Sequence, residues 1–467
     1  MHTARHARID TPPSTVWLGV LLLIISVLGG GGRGGLGDTL AQLLAIVLLF
    51  YMYWLHMHAH LAWQAPRWVC WLPALALVLP ALQLFPIPAV LWAMGTARAE
   101  LAAQLLVAGV NPTHVISLNP AATELAMLSL LPGTALFLCT LGLSRKNQVI
   151  LLAVIVTLAF LSVFMGMAQL ADGNDSPLRL YTPTNRDQAV GFYANRNHFA
   201  GLLAMALPLA FAATSWAVTE QLGGRRFSLM FIIAGSISII LLILGIAMSR
   251  SRAGMLLGML AVMASLPLAM SLRRRRGMKR ILTVILALAV MISIQFSLLG
   301  ILQRLEADPM ADGRWKYAKV TLAAAADYAP LGSGLGTFQQ AYQPYEAKDT
   351  PGRYVINHAH DDYLELWLEG GLPALILMSL GFVAWTHRGW QLFQRREETE
   401  SAASLKIMLT RVAWLSASLA LIHSALDFSL RTTASMAVFS VLAAIAFSNS
   451  RREFSDATGI VSESGNQ

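Results

Sequence analysis

Apolar stretches about as long as a lipid bilayer is thick recur along most of this chain of 467 residues. They are roughly 17–25 residues long, the length that an α-helix needs to cross the hydrocarbon core. Short basic or Pro/Gly-containing breaks separate them. The chain is 56% hydrophobic and 13% charged, whereas a soluble domain carries about 25% charged residues. The sequence therefore predicts an all-α polytopic membrane protein.

The apolar stretches predict about twelve transmembrane helices, the first of them uncleaved. The glycine run after the first, Gly29–Gly35, predicts a flexible connector. A long polar segment separates the ninth and tenth spans, so we divide the chain into helices 1–9 (1–302), a loop (303–370), and helices 10–12 with a tail (371–467). The predicted spans lie near 16–28, 38–60, 68–90, 123–143, 148–170, 197–218, 228–248, 253–271, 281–301, 371–390, 407–426 and 433–449.

The distribution of Lys and Arg predicts the orientation of these spans. With the N-terminus inside, more than half of the 34 basic residues fall on cytoplasmic segments, as the positive-inside rule requires. Both termini are then cytoplasmic, and the 303–370 loop faces the periplasm of a bacterial inner membrane. The net charge of +9 is explained by the anionic cytoplasmic leaflet, without a nucleic-acid partner. The two cysteines, Cys70 and Cys139, lie in apolar stretches and indicate neither a disulfide framework nor a metal site.

Several basic residues at the outer side run against this orienting bias. A bound phosphate or diphosphate would explain them, because guanidinium groups match phosphate oxygens with paired donors. Contact with lipid headgroups is the alternative. The short outer turns hold Arg196, Arg250, Arg252 and Arg431, and the long loop adds Arg304, Arg314, Lys316 and Lys319.

Two polar motifs open predicted spans. In residues 191–201, Asn195 and Asn197 accompany Arg196, and these side chains could cap a helix, contact substrate, or both. In residues 249–254, small residues beside Arg250 and Arg252 predict a closely packed helix that begins at Ser251. Its free N–H groups would favour an anion.

The long loop holds a third motif, in which Arg314 precedes a glycine-rich segment at 330–338. No strand is predicted before these glycines, so they favour a turn that shapes the site over a dinucleotide-binding fingerprint. We interpret Arg314 as functional; an exposed charge is the alternative.

The fourth motif is Asn357-His358-Ala359-His360-Asp361-Asp362-Tyr363-Leu364-Glu365. A helix over 357–369 would place His360 and Tyr363 on one face and Asp361 with Glu365. An imidazole with a pKa near 6.5 can accept a hydroxyl proton at neutral pH, so His360 is the candidate base. His358, Asp361 and Tyr363 are candidate substrate contacts, although a structural role suits His358. A metal site is conceivable, but two histidines spaced i, i+2 without a second ligand cluster argue against it.

Near the C-terminus, His423 and Asp427 are spaced i, i+4. On a helix they would share one face, and an internal His423–Asp427 pair or an Asp427–Arg431 pair would hold helices together. We favour a structural role for this pair.

Taken in order, these motifs resemble the bacterial O-antigen ligase and polymerase superfamily. The resemblance covers about residues 190–390 and rests on Asn195–Ala200, Ser251–Gly254, Gly313-Arg314, Gly334–Phe338 and His360–Leu364 followed by Glu369-Gly370-Gly371-Leu372. Asp361 departs from it, because many relatives have Asn after the histidine.

The resemblance implies transfer of a glycan from undecaprenyl diphosphate at the periplasmic face, without a metal or another cofactor. His360 would be the base, and Arg252 and Arg314 would hold the diphosphate leaving group, with inversion at the sugar. The reaction that we favour is ligation of the glycan to lipid A–core oligosaccharide. Two alternative reactions remain open: polymerisation of lipid-linked repeats and transfer to a protein hydroxyl. A polysaccharide exporter or flippase is the alternative that is not an enzyme.

Overall fold

A computed structural model describes residues 11–32, 34–58, 61, 63–182, 186–219, 225–270, 313–346, 355–394 and 401–448. Within these ranges the chain is helical and forms no β-strand, apart from an isolated bridge between Pro86 and Val115. This confirms the all-α class. The helices are α1 (Pro13–Gly29), α2 (Leu36–Met57), α3 (Arg67–Gln83), α4 (Ala89–Trp92), α5 (Thr96–Val107), α6 (Pro120–Ser129), α7 (Leu131–Gly142), α8 (Arg145–Asp172), α9 (Arg196–Thr219), α10 (Arg225–Met248), α11 (Arg252–Met270), α12 (Gly313–Asp327), α13 (Phe338–Tyr342), α14 (Asp362–Gln394), α15 (Ser401–Ser424) and α16 (Thr433–Phe447).

By length and composition, 7 helical segments of the described chain could cross a membrane. Four shorter apolar helices coincide with the other predicted spans inside the described ranges: Pro13–Gly29, Arg67–Gln83, Arg252–Ser265 and Thr433–Phe447. The chain is thus a multi-pass membrane protein. The ninth predicted span, 281–301, lies outside the described residues, as does Arg304, so the count of twelve stays a prediction.

Helix α9 lies at the centre of the bundle. In its apolar window 83% of the residues are buried, against 28% for α2 and α14, which face outward. It packs against α10, α11 and α15, and small residues permit the close approach: a Cβ on Gly254 of α11 would lie 2.3 Å from Cβ of Ala200. The N-terminus of α9, and the motif that precedes it, therefore meet several other helices at one end of the bundle.

In the glycine run after α1, Gly30 to Gly32 are packed against neighbouring segments, whereas no atom lies within 4 Å of a Cβ added at Gly34 or Gly35. The packed part differs from the flexible connector that the sequence predicts. Ala434 donates its backbone N–H to the Gly30 carbonyl at 3.0 Å, and Ala194 donates to Gly31 at 3.1 Å. A Cβ at Gly31 would lie 2.1 Å from the Phe192 carbonyl oxygen. Glycine is needed here for close backbone approach.

Helix α14 begins nine residues before the predicted tenth span. It is interrupted at Gly371, where φ is 58° and ψ is −151°. Its first part packs with α12 and α13 around a small apolar core that includes Phe338, Tyr342 and Leu368. Part of the predicted outer loop is therefore helical and folded onto the start of α14.

Candidate functional site

His360 lies immediately before α14, with a backbone φ of 56°. Asp361 caps the helix: its Oδ1 accepts hydrogen bonds from the N–H of Tyr363 at 2.9 Å and of Leu364 at 3.1 Å. The helix that the sequence analysis considered over 357–369 begins only at Asp362, because Asp361 caps it there. His360 therefore lies in a turn before the helix, and its side chain does not share a helical face with Tyr363.

The ring of His360 contacts the buried carboxylate of Asp427. Nδ1 of His360 lies 3.0 Å from Oδ1 of Asp427, whose side chain is fully buried, while that of His360 is 28% exposed. The rings of Tyr317 and Phe428 flank the imidazole, with centroids at 6.1 and 5.1 Å. With Nδ1–H donated to the carboxylate, Nε2 is the nitrogen that can accept a proton.

A chain of polar contacts joins Asp427 to three other elements. Its Oδ2 accepts a short hydrogen bond from Nδ2 of Asn197, at the start of α9. Asn197 in turn accepts from the hydroxyl of Ser251 at 2.7 Å, and that hydroxyl caps α11 by accepting from the N–H of Gly254 at 2.9 Å. On the other side, a guanidinium nitrogen of Arg314 in α12 lies 4.0 Å from Oδ2 of Asp427. Four parts of the sequence therefore meet at one carboxylate.

Asp427 is ionised in this setting. Burial alone raises the pKa of a carboxyl group, but the hydrogen bond from His360 and the neighbouring imidazoles outweigh burial and hold the pKa of Asp427 well below its usual range. The site thus contains a buried negative charge that favours the tautomer of His360 with its proton on Nδ1.

The predicted substrate contacts at the starts of α9 and α11 differ in their partners, and only Asn197 contacts Asp427. Asn195 caps α9, since its Oδ1 accepts from the N–H of Asn197 at 2.8 Å. Arg196 hydrogen-bonds to Gln188, and exposed Arg250 lies 3.5 Å from Asp187. Arg252 is exposed and directly follows Ser251. The structure therefore brings Asn197, Arg314 and His360 together. Arg252 itself makes none of these contacts, but the preceding residue, Ser251, does.

Arg431, one of the out-of-place arginines, has acidic partners within the protein. Its guanidinium lies 3.4 Å from Asp362, 3.1 Å from Glu365 and 2.7 Å from Glu369. Burial would lower the pKa of Arg431, but these carboxylates raise it above its ordinary value. These contacts explain the residue without a bound phosphate, so Arg431 leaves the set of candidate anion ligands.

Two predicted contacts from the fourth motif also have partners within the protein. His358 is buried, and its Nδ1 lies 2.8 Å from Oε1 of Glu365, which favours the structural interpretation. Tyr363 is partly exposed and donates its hydroxyl to the Leu421 carbonyl at 2.7 Å. In the part of the chain that the structure describes, no group of three or more His, Cys, Asp or Glu side chains could hold a metal ion.

The pairing expected between His423 and Asp427 is not formed. Helix α15 ends at Ser424, and the chain then turns, with the N–H of Asp427 donating to the His423 carbonyl at 2.9 Å. The carboxylate consequently faces His360, which lies 67 residues earlier. The sequence analysis paired Asp427 with His423 or Arg431 and so missed its contact with His360. The position of an ionisable residue beside a span was nevertheless a sign of a functional or structural role.

Comparison with known families identifies the central part of the chain. Residues 237–379 match the sequence profile of the family described as O-antigen ligase. This match supports the resemblance of the chain to the O-antigen ligase superfamily. No curated protein matches the chain.

The matched region contains part of the site described above. It includes the start of α11, helix α12 and the His360 turn, but Asn197 and Asp427 lie outside it. The match supports an activity of the glycan ligase or polymerase type, for which a lipid-linked glycan and an acceptor are the general kinds of partner.

Proposed function

We propose that this protein transfers a glycan from undecaprenyl diphosphate to a hydroxyl of lipid A–core oligosaccharide. The transfer would take place at the periplasmic face of the bacterial inner membrane. The observation that supports it best is the His360–Asp427 pair, because a partly exposed imidazole held by a buried carboxylate is the arrangement of an oriented general base.

In the proposed reaction His360 removes the proton of the acceptor hydroxyl through Nε2. The resulting oxygen nucleophile forms a new bond to the anomeric carbon as the bond from that carbon to the diphosphate oxygen breaks. Attack opposite the leaving group inverts the anomeric configuration. The leaving diphosphate takes the electron pair, and Asp427 stabilises the imidazolium that forms.

The growing negative charge on the leaving diphosphate needs positive partners that act in the transition state. Arg314 lies beside Asp427 and is 40% exposed, so its guanidinium is accessible to a ligand. Arg252 is exposed at the start of α11, where the helix N-terminus adds further positive potential. We assign these two arginines to the leaving group.

A polysaccharide exporter or flippase is the competing class. Transporters of lipid-sized or sugar substrates place polar groups near the bilayer midplane. Here the polar chain from His360 to Ser251 involves the starts of α9 and α11 and the segments flanking α14 and α15. This position at helix ends favours chemistry at one membrane face.

The test is replacement of His360 by alanine in a strain that lacks the native copy. We expect His360→Ala to lower glycan transfer about 10²–10⁴-fold, the usual contribution of a general base, at unchanged protein level. His387→Ala, at an exposed histidine within α14, is the matched control and should retain activity.

Product analysis then separates the acceptors. Core-only lipopolysaccharide with polymer accumulated on the lipid carrier supports ligation, whereas single-repeat products would indicate polymerisation. Glycan transfer at the wild-type rate by His360→Ala would disprove the mechanism.

A further inference from the structure

The first two turns of α14 direct three carboxylates at one arginine. Asp362, Glu365 and Glu369 all contact Arg431, and the side chains of both glutamates are fully buried. Buried ion pairs of this kind often add little net stability compared with well-packed apolar residues, because desolvation offsets their attraction. Their effect on local geometry is therefore of greater interest than their effect on overall stability.

Glu365 connects this cluster to the backbone just before His360. Its Oε1 lies 2.8 Å from Nδ1 of His358, and its Oε2 accepts the N–H of Ala359 at 2.9 Å. The ring of His358 is also stacked on Phe428, with centroids 4.0 Å apart. The two residues that lead into His360 are thus fixed by one carboxylate, which Arg431 holds in place.

The backbone of His360 needs such support. Its φ of 56° lies in the left-handed region, which is unfavourable for a residue with a Cβ. A strained conformation of this kind persists only where surrounding contacts impose it. Glu365 provides contacts on the N-terminal side, and the Asp361 cap provides them on the C-terminal side.

We infer that Glu365 and Arg431 are positioning residues that hold the backbone of His360, while Asp427 holds its ring. The short segment 427–431 then fixes the base from two directions, because Asp427 contacts the imidazole directly and Arg431 acts through Glu365. This inference rests on the proposed function of His360. It extends that function to a buried cluster that no step of the transfer reaction uses directly.

Glu365→Gln is the more conservative test, since it removes the charge at nearly constant volume and leaves Arg431 paired with Glu369 and Asp362. The amide cannot accept from both Ala359 and His358 as the carboxylate does. We expect kcat to fall about tenfold or more, because small misplacement of a catalytic group is costly. The KM for the lipid-linked donor should stay within about twofold, because no donor contact is removed.

Arg431→Lys tests the other end of the connection. An ammonium group cannot reproduce the planar fork that reaches three carboxylates, so kcat should fall in the same way. Arg388→Lys is the matched control: Arg388 is also buried in α14, but it donates to the Ala446 and Ser448 carbonyls at 2.7 and 2.9 Å. It should alter thermal stability without changing kcat per folded enzyme.

The measurement is donor-saturation kinetics of purified variants, normalised to the folded fraction from size exclusion and thermal unfolding. A fall of kcat in Glu365→Gln, with Arg388→Lys unaffected, supports the inference. Unchanged kcat in Glu365→Gln, an effect on KM alone, or an equal fall of kcat in the control would overturn it. Should Arg431→Lys not fold, Glu365→Gln decides alone.

His360→Ala separates this inference from the proposed function. If that variant transfers glycan normally, the mechanism itself is wrong. If it is inactive while Glu365→Gln retains full kcat, only the positioning role is wrong.

Discussion

At the scale of single residues, Asp427 is the side chain at which the separate parts of the site meet. It accepts from His360 and Asn197 and lies near Arg314. Because its pKa is held well below the usual range, the carboxylate remains charged throughout the neutral and mildly acidic range. A fall in activity on mild acidification should therefore result from protonation of a group other than Asp427.

Asp427→Asn should leave the bundle folded but disable the base. An asparagine amide can donate to Nδ1 of His360 and so favour the tautomer that has its proton on Nε2. The corresponding change in a serine protease triad lowers kcat about 10⁴-fold, and we expect a fall of about 10²–10⁴-fold, with donor KM little changed. Steady-state transfer assays on purified protein measure both constants. Asp175→Asn, at an exposed loop carboxylate, is the control, and activity within fivefold of wild type in Asp427→Asn would refute the assignment.

His360 and Arg314 could be selected from the sequence because residue type and chain position already suggested their chemistry. Asp427 could not be joined to them, since 67 residues separate it from His360. The helical i, i+4 rule gave it His423 as a neighbour instead, and that rule failed because α15 ends at Ser424. Local spacing predicts partners only while the helix continues.

At the scale of elements, the kink of α14 joins the helix to the glycine-rich turn. The carbonyls of Leu368 and Glu369 accept the N–H groups of Ser333 at 3.0 Å and Gly334 at 2.9 Å. Both carbonyls lack their usual helical partners, because Leu372 donates to the Pro330 carbonyl at 2.8 Å beside the interruption at Gly371 and Pro373 has no N–H. The turn that the sequence predicted over the site is therefore anchored on the same helix that begins beside His360.

Gly371→Ala should destabilise this junction. A Cβ there would lie 2.2 Å from the Pro330 carbonyl oxygen, and the φ and ψ values belong to a region used almost only by glycine. We expect a loss of about 2–4 kcal/mol from the combined backbone strain and overpacking. The thermal unfolding midpoint in detergent measures it.

Gly381→Ala is a matched control in the same helix, because no atom lies within 4 Å of its added Cβ. It should leave the midpoint unchanged or raise it slightly through helix propensity. Equal midpoints for the two variants would contradict the role given to Gly371.

Glycines also show what the sequence could not supply at this scale. The segment at 330–338 forms turns, as predicted. In the run at Gly29–Gly35, which was predicted to be flexible, Gly30 and Gly31 are instead packed against Ala434 and Phe192. Composition shows which conformations a segment can adopt. Whether another segment fills the space beside it depends on tertiary packing.

At the scale of the whole molecule, polar networks occupy both ends of the bundle. One end holds the cluster from His360 to Arg431. The other joins Arg145 and Arg388 to the Ser448 carbonyl at the end of α16, at 3.3 and 2.9 Å. Hydropathy and helix length predicted the multi-pass class, and the excess of Lys and Arg at the second end predicts that it is cytoplasmic.

Single cysteines at exposed positions test that orientation. In a background with Cys70 and Cys139 replaced by serine, Asp175→Cys and Lys319→Cys should react with a membrane-impermeant maleimide in cells whose outer membrane has been opened. Lys146→Cys, at the start of α8, should react only after the inner membrane is permeabilised. All three positions are exposed in the structure, so a lack of labelling would reflect the membrane barrier and not burial of the thiol inside the protein. Labelling of Lys146→Cys in intact inner membranes, with protection of Lys319→Cys, would reverse the orientation and place the His360 site on the cytoplasmic side.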